Sequence, residues 1–229
     1  MEIDTIEKTN NLMNIGMIDT SFDSTKKFID DMQIITLKYL AAIKEVENRI
    51  DIINEDFKVH KGTSPIEHVS SRVKSPLSIL NKLSRMNVQF FDIKTMEENI
   101  FDIAGIRISC SFIEDIYNVA NILGAFDDFE IIKIKDYVKN PKPSGYRSYH
   151  MIVKVPVHLT TGAEMVNVEI QIRTMAMDFW ASLEHKIKYK YDGTVPTNIV
   201  EELHKCSIMA ANMDEKMQKL KKEILDIND

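Results

Sequence analysis

Residues 133–173 read KIKDYVKNPKPSGYRSYHMIVKVPVHLTTGAEMVNVEIQIR. The segment 133–150 contains five Lys or Arg residues and one acid, a net charge of +4 in a chain whose total is −6. Its prolines and glycine predict a surface loop at 140–145, because proline removes a backbone donor and glycine relaxes the φ restriction. With Tyr146 and Tyr149 beside it, this basic loop suits a nucleotide, whose base stacks on a ring while cations neutralise its phosphates. A solvated basic loop explains the same segment equally well.

The second part of this stretch predicts a β-hairpin. Residues 151–157 alternate between core-forming and other side chains, residues 159–163 form a turn, and residues 166–173 alternate again. In the last strand the apolar and polar side chains occupy opposite faces: Val166, Val168, Ile170 and Ile172 on one, and Asn167, Glu169, Gln171 and Arg173 on the other. The polar face is either exposed to solvent or buried with hydrogen-bond partners, since buried polar groups need partners.

Length and composition limit the class of protein. A chain of 229 residues with 44% hydrophobic residues forms one large domain or two small ones with an ample core. The two cysteines, Cys110 and Cys206, exclude a disulfide scaffold and a CxxC zinc site, and a reducing cytoplasm is the simplest compartment. Neither a signal peptide nor the roughly 20 consecutive apolar residues of a membrane span is found, so a soluble protein without a membrane partner is expected. The acidic total argues against sequence-independent nucleic-acid binding.

The periodicity outside the hairpin predicts helices at both ends. Residues 1–26 are polar and weakly periodic, and we expect a flexible extension or a frayed helix. From about Lys27 to Phe57, apolar residues at steps of three and four predict an amphipathic helix of roughly 30 residues. A domain over 27–197, including this helix, is then followed by a C-terminal helix over 198–229. Its apolar residues follow a heptad rhythm and predict packing on the domain or on another subunit: Ile199, Leu203, Cys206, Ala210, Met213, Met217, Leu220 and Ile224.

The order of elements is helices, a βαβ unit, a hairpin and helices again. This order predicts an α+β fold with a mixed β-sheet of about five strands surrounded by helices. The segment 96–112 predicts a short helix running into a strand, 115–123 predicts the following helix, and 129–134 predicts the next strand.

A second basic cluster accompanies a predicted helix start. Pro76 suits the first turn of a helix and Ser75 its N-cap. Free N–H groups and the helix dipole at such a start favour a polyphosphate, although a solvated basic face is the alternative. The cations of this cluster are Arg72, Lys74, Lys82 and Arg85.

Two acids complete a possible site. Asp102 directly precedes one predicted strand and Glu169 lies within another, so both can share one side of the sheet and a divalent cation. Two basic clusters, a cation and a carboxylate base describe the transfer of a phosphoryl group to a hydroxyl. Spacing alone does not identify which transfer.

Five ordered segments within residues 66–191 resemble the synthetase domain of the RelA/SpoT alarmone enzymes, in the small stand-alone form of the RelQ type. They are RVKSPLSILNKLSR, DIAGIRI, KIKDYVKNPKPSGYRSYH, VEIQIRT and AMDFWASLEHKIKYKY. The resemblance implies a nucleotidyltransferase-like synthetase domain that transfers the β,γ-pyrophosphate of ATP to the ribose 3′-hydroxyl of GDP or GTP, with GMP as a further candidate acceptor. It also implies Mg²⁺ as cofactor and a homotetramer.

The resemblance further implies roles for individual residues. Glu169 would take the proton of the 3′-hydroxyl and help to bind Mg²⁺, and Asp102 would be the main metal ligand. Tyr146 would stack on guanine, and Asp178 would face the guanine edge. ATP would be bound by Arg72, Lys74, Ser78, Lys82, Arg85, Arg107 and Lys135, and the acceptor by Lys142, Tyr146, His150, Gln171 and Asp178.

The chain departs from the family pattern in two places. Lys133 and Lys135 stand where many relatives carry an arginine that packs on adenine, so weaker ATP binding is expected. His68 stands where some relatives carry an aromatic residue near an allosteric alarmone site; an allosteric alarmone and single-stranded RNA are the further partners that the resemblance suggests. The dipeptide HD of the family's hydrolase domain does not occur, which predicts synthesis without hydrolysis.

Two rival functions remain at this point. One is a nucleotide- or RNA-binding regulator that has kept the pocket and lost turnover, and the other is a nucleotidyltransferase that releases pyrophosphate. Retention of both Asp102 and Glu169 argues against the regulator, since binding alone does not need both acids.

Overall fold

The computed structural model describes residues 22–86, 93–189 and 195–228. The helices are α1 (Phe22–Lys61), α2 (Pro76–Arg85), α3 (Ile93–Asn99), α4 (Ile113–Gly124), α5 (Met175–Tyr189) and α6 (Thr197–Asn228). The strands are β1 (Ile66–Val73), β2 (Ala104–Cys110), β3 (Glu130–Asp136), β4 (Tyr149–Leu159) and β5 (Gly162–Thr174).

The five strands form one mixed sheet in the order β1-β2-β5-β4-β3. Strands β2 and β5 are parallel, and the other neighbouring pairs are antiparallel. The prediction of an α+β fold with about five strands is confirmed. The hairpin connects β4 to β5 through Thr160 and Thr161, a tighter turn than the predicted 159–163.

Strand β1 is not among the strands predicted from the sequence. It pairs with β2 on one side only and lies at the edge of the sheet, and most of its residues are exposed. An exposed edge strand needs no regular alternation of apolar residues, so the pattern IEHVSSRV does not mark it.

One face of the sheet carries the core. Helix α1 packs against β4, β5, β1 and β2, and α4 packs against β5 and β2. The apolar stripe of α1 from Met32 to Ile53 is buried, as is the predicted inward face of α4. Helix α1 has 40 residues and begins at Phe22 rather than Lys27; Lys26, Lys27 and Asp30 are exposed, so apolar periodicity does not mark its start. Residues 1–21 of the predicted extension lie outside the described residues.

Helix α6 lies against α5 and α4. Trp180 Nε1 donates to the carbonyl of Leu203 at 2.8 Å, and Thr174 Oγ1 donates to Asp214 at 2.7 Å. Much of the heptad face does not form this contact; instead it is exposed at Cys206, Met213, Met217, Leu220 and Ile224. The face that meets the domain includes Ser207, Ala211 and Asp214, which are buried.

Among the residues with described structure, none of the helices combines the length and the apolar character that crossing a bilayer requires.

Candidate active site

The face of the sheet opposite α1 carries the predicted polar side chains in two cross-strand rows. In the first row, Arg72 pairs with Gly105 and Gly105 with Glu169. Residues paired across neighbouring strands project to the same face. Because Gly105 has no side chain, space is left between the arginine and the glutamate; a Cβ there would meet only the carbonyl oxygen of Arg72, at 3.9 Å.

The second row crosses the whole sheet. Arg107 pairs with Gln171, Gln171 with His150, and His150 with Lys135 at the outer strand. The polar alternation along β5 therefore continues across three neighbouring strands. The sequence left two interpretations of this polar face, exposure to solvent and burial with hydrogen-bond partners. Arg173 fits the second, because its side chain is only 4% exposed and is hydrogen-bonded.

A cavity of about 180 Å³ opens on this face. Both predicted acids line it, although Asp102 comes from the segment before β2 and Glu169 from β5. The lining residues are Ser70, Ser71, Arg72, Asp102, Gly105, Ile106, Arg107, Glu169 and Gln171.

Two lysines hold the carboxylate of Asp102. Lys74 Nζ donates to Oδ2 and Lys82 Nζ donates to Oδ1, each at 2.7 Å. Lys74 follows β1, and Lys82 is carried by α2, which buries Ile79, Leu80 and Leu83. Burial by itself would raise the pKa of Asp102, but the two lysines outweigh burial and leave the pKa below its usual range. Asp102 is therefore ionised at neutral pH.

Glu169 is held by its neighbours in the sheet. His150 Nδ1 lies 3.2 Å from Oε1, and Gln171 Nε2 donates to Oε2 at 2.9 Å. Burial and the negative charge of Asp102 both raise the pKa of Glu169, but the hydrogen bonds from His150 and Gln171 outweigh them and lower it overall. The carboxylate is thus ionised, oriented and able to accept a proton.

The basic loop meets β4 and β5 at Tyr146. Its hydroxyl accepts a hydrogen bond from Arg173 at 2.6 Å and shares another with His150 Nε2 at 2.7 Å. Lys142 Nζ lies 4.7 Å from the centre of the Tyr146 ring and 4.8 Å from that of Tyr137. The resemblance assigns three of these residues to the acceptor: Lys142, Tyr146 and His150. Tyr146 contacts the other two, so the three side chains form one cluster.

The carboxylate of Asp178 contacts two arginines, Arg107 and Arg173. Its Oδ1 lies 3.4 Å from Arg107 and 3.1 Å from Arg173. Because Arg107 lines the cavity and Arg173 contacts Tyr146, this carboxylate joins the cavity to the basic loop. Burial and the nearby positive charge of Arg173 lower the pKa of Arg107.

Three predicted residues lie apart from both the cavity lining and the side-chain contacts described above. Lys135 is exposed on β3, beyond His150. Arg85 is exposed at the last residue of α2. Ser78 lies in the first turn of α2, where its Oγ is 2.8 Å from that of Ser75.

Two residues in contact with the site, Arg173 and Tyr137, are not among the predicted ones. Arg173 donates to Tyr146, to Gln171 at 2.8 Å and to Asp178. Its place on the polar face of β5 was the available signal. Tyr137 packs edge-to-face against Tyr146 and His150, which only the folded loop reveals.

The pair of carboxylates fits a hard divalent cation. Mg²⁺ prefers oxygen ligands and is usually bound through one or two carboxylates together with substrate phosphates. Asp102 and Glu169 supply two ionised carboxylates in one cavity. Within residues 22–86, 93–189 and 195–228 no group of three or more His, Cys, Asp or Glu residues that could hold a metal occurs.

Comparison with known proteins gives consistent matches. Residues 71–194 match the family described as "Region found in RelA / SpoT proteins". The chain is 48% identical over 205 residues to the GTP pyrophosphokinase YwaC of Bacillus subtilis (strain 168), covering 90% of this chain and 97% of that protein. It is 40% identical over 186 residues to the GTP pyrophosphokinase YjbM of the same organism, covering 81% and 86%.

Solved structures give the same result. The small alarmone synthetase 1 of Bacillus subtilis bound to its product pppGpp superimposes with a TM-score of 0.77 at 39% identity, covering 84% of this chain and 97% of that chain. The small alarmone synthetase 2 of the same organism has a TM-score of 0.74 at 49% identity, covering 82% and 97%.

Proposed function

Since the chain belongs to the RelA/SpoT family and is a GTP pyrophosphokinase, we propose that the cavity between β1, β2 and β5 transfers the β,γ-pyrophosphate of ATP to the 3′-hydroxyl of GDP or GTP. The observation that carries this proposal is that Asp102 and Glu169, from separate parts of the chain, line one cavity together with Arg72 and Arg107. Neither a structural ion pair nor a simple anion site needs two ionised acids among cations.

Glu169 acts as the general base. The 3′-oxygen attacks the β-phosphorus of ATP, its proton passes to a carboxylate oxygen of Glu169, and the bond between the β-phosphorus and the oxygen joined to the α-phosphorus breaks. The products are AMP and a guanosine carrying a 3′-diphosphate. The lowered pKa of Glu169 keeps the base ionised, while His150 and Gln171 fix its orientation.

Arg72, Lys74, Lys82 and Arg107 bind the phosphates of ATP. Arg72 and Arg107 line the cavity, and Lys74 and Lys82 form ion pairs with Asp102, which also lines it. Arginine matches the geometry of phosphate because its donors can bind two oxygens at once. Asp102 and Glu169 would hold Mg²⁺, which would supply positive charge to neutralise the phosphates. Ser78, Arg85 and Lys135 remain assigned to ATP on the resemblance alone.

The basic loop binds the acceptor nucleotide. Tyr146 stacks on guanine, and its hydroxyl, held by Arg173 and His150, limits rotation of the side chain before the nucleotide arrives. Lys142 and His150 contact the acceptor phosphates, with Gln171 beside them and Asp178 facing the guanine edge.

The surface of the chain supports self-association, and the resemblance alone sets the proposed number of subunits at four. Large apolar side chains are exposed at a spacing of four residues along α5, at Met175, Phe179, Leu183 and Ile187. Contiguous exposed apolar surface is typical of protein interfaces. The free cysteines, buried Cys110 and exposed Cys206, accord with a reducing cytoplasm. An allosteric alarmone and single-stranded RNA stay predictions; His68, at the place in question, is exposed on β1.

The reaction can be tested by incubating the purified chain with ATP, Mg²⁺ and GMP, GDP or GTP in turn, and separating the nucleotides. With GDP we expect guanosine tetraphosphate and an equal amount of AMP. Absence of any product would support the binding regulator, and free pyrophosphate would support the nucleotidyltransferase. The same series ranks the acceptors.

The Glu169→Gln variant tests the base. It should lower turnover on the order of a hundredfold or more, because the amide cannot accept the proton. Glu164→Gln is the matched control, since Glu164 lies on the same strand, outside the cavity lining, and pairs with Lys38. Near-normal turnover of Glu169→Gln would remove Glu169 from this role.

A further inference from the structure

The basic loop makes a tight turn around Gly145. The N–H of Gly145 donates to the carbonyl of Lys142 at 2.8 Å, and the N–H of Lys142 donates to the carbonyl of Tyr146 at 3.1 Å. These bonds fix Lys142 and Tyr146 relative to each other. Gly145 has φ +89°, a left-handed conformation that other residues adopt only with strain.

The turn also lies directly against helix α6. A Cβ on Gly145 would be 2.6 Å from Cβ of Ser207, closer still to its Oγ, and 3.1 Å from Nδ1 of His204. Ser207 is 5% exposed, and its hydroxyl donates to the carbonyl of His204 at 2.7 Å. The loop backbone therefore rests on the helix at this point, and a small residue on each side permits the approach.

Helix α6 is anchored beside the same part of the site. Asp214 accepts a hydrogen bond from Thr174, the residue that follows Arg173, and Thr174 Oγ1 also accepts from the N–H of Met177 in the first turn of α5. Arg173 in turn holds Tyr146. The helix thus contacts the acceptor residues from two directions, through the end of β5 and through the loop.

We propose that Ser207 of α6 is a positioning residue for acceptor binding: its contact with Gly145 sets the place of the turn that carries Lys142 and Tyr146. Ser207 does not touch the nucleotide. This inference rests on the proposed function, because it assigns the turn to the acceptor nucleotide. The cations assigned to ATP that line the cavity or lie on α2 are Arg72, Arg107 and Lys82, and none of them is among the nearest atoms to the Gly145 position, so the KM for the acceptor is the one expected to change.

Three variants test this contact through separate KM values for GDP and ATP. Gly145→Ala should raise the KM for GDP about tenfold, since misplacing a binding group by about an ångström costs up to a hundredfold. The KM for ATP should stay within about twofold. Adding Ser207→Gly, in the double variant Gly145→Ala/Ser207→Gly, removes both Ser207 atoms that the new Cβ meets, and should return the KM for GDP to within about threefold of the wild type.

The third variant, Gly62→Ala, is the control for a general effect of backbone strain on the fold. Gly62 has φ +70° but no atom lies within 4 Å of an added Cβ, so this variant carries the strain without the contact. We expect its KM for GDP to be unchanged. If Ser207→Gly does not reduce the effect of Gly145→Ala, strain alone explains it and the inference is overturned.

A fourth variant covers the case in which Gly145→Ala does not fold. Ser207→Thr keeps the hydroxyl and adds one methyl group next to an unaltered loop, and should raise the KM for GDP about threefold without changing that for ATP. An unchanged KM for GDP would overturn the inference. If the wild-type chain forms no guanosine tetraphosphate, the proposed function has failed instead.

Discussion

Asp102 is the residue at which three segments of the chain meet. The lysine after β1 and the lysine on α2 both donate to its carboxylate. Since its folded pKa lies below that of an unfolded chain, ionised Asp102 stabilises the fold. This stabilisation is fully present above about pH 4, the ordinary pKa of an aspartate, and is lost as pH falls through the lower folded value.

We expect Asp102→Asn to lower the free energy of unfolding at pH 7 by about 1–2 kcal/mol, because the amide carries no negative charge and offers the two lysines one acceptor oxygen instead of two. The difference from the wild type should shrink as pH falls from 4 towards 2, where the wild-type carboxylate also becomes neutral. Urea unfolding at several pH values measures this. Asp127→Asn, at an exposed position, is the control, and a difference for Asp102→Asn that stays constant to the lowest pH would contradict the expectation.

At the scale of the element, α2 is positioned by local sequence and by packing. Ser75 caps the helix by accepting from the N–H of Ser78 at 3.3 Å, and Pro76 occupies its first turn. Buried Ile79 and Leu83 then hold the helix against the core. The start of the helix therefore determines where Lys82 lies, and from that position Lys82 donates to Asp102.

Removal of the cap should weaken both stability and ATP binding. We expect Ser75→Ala to lower the free energy of unfolding by about 1 kcal/mol, the usual value of an N-cap, and to raise the KM for ATP, because Lys82 is carried by this helix. Urea unfolding and steady-state kinetics measure the two effects. Ser75→Thr retains a hydroxyl and is the matched control; equal behaviour of the two variants would show that the cap contributes nothing.

The regularity of the apolar pattern explains why some elements are predicted from the sequence and others are not. The hairpin of β4 and β5 and the helix α4 were predicted because their periodicity is regular and one face of each is buried. Strand β1 was missed because an exposed edge does not require that regularity. The resemblance supplied the ATP assignments of Arg72 and Lys74, which lie at the end of this strand.

At the scale of the whole molecule, one chain leaves considerable apolar surface uncovered. On α6 the exposed residues include Met213, Met217, Leu220 and Ile224, in addition to the apolar row on α5. Heptad spacing of this kind is typical of helices that pack on other helices. A neighbouring face of α6, at Ser207, Ala211 and Asp214, makes the contact with its own domain, so the exposed Met213, Met217 and Leu220 can contact a second copy.

Light scattering after size exclusion should therefore give a mass near four times the chain mass of 26.4 kDa. Met217→Glu should lower that mass, because a charge buried in an apolar interface is costly. Lys219→Glu changes an exposed polar position on the same helix and should leave the mass unchanged. A wild-type mass of 26.4 kDa would refute self-association.

The sequence by itself determined the elements whose cause is local: the cap at Ser75, the turn at Gly145, and the polar and apolar faces of β5. Hydrogen-bond chemistry, backbone freedom and side-chain period act within a few residues, so the chain displays them directly. Only the tertiary structure decided which distant groups meet: the two lysines on Asp102, Arg173 on Tyr146, and the loop on Ser207. These contacts depend on strand order and on which helix face packs inward, and both are set by the burial of the whole core rather than by any one segment.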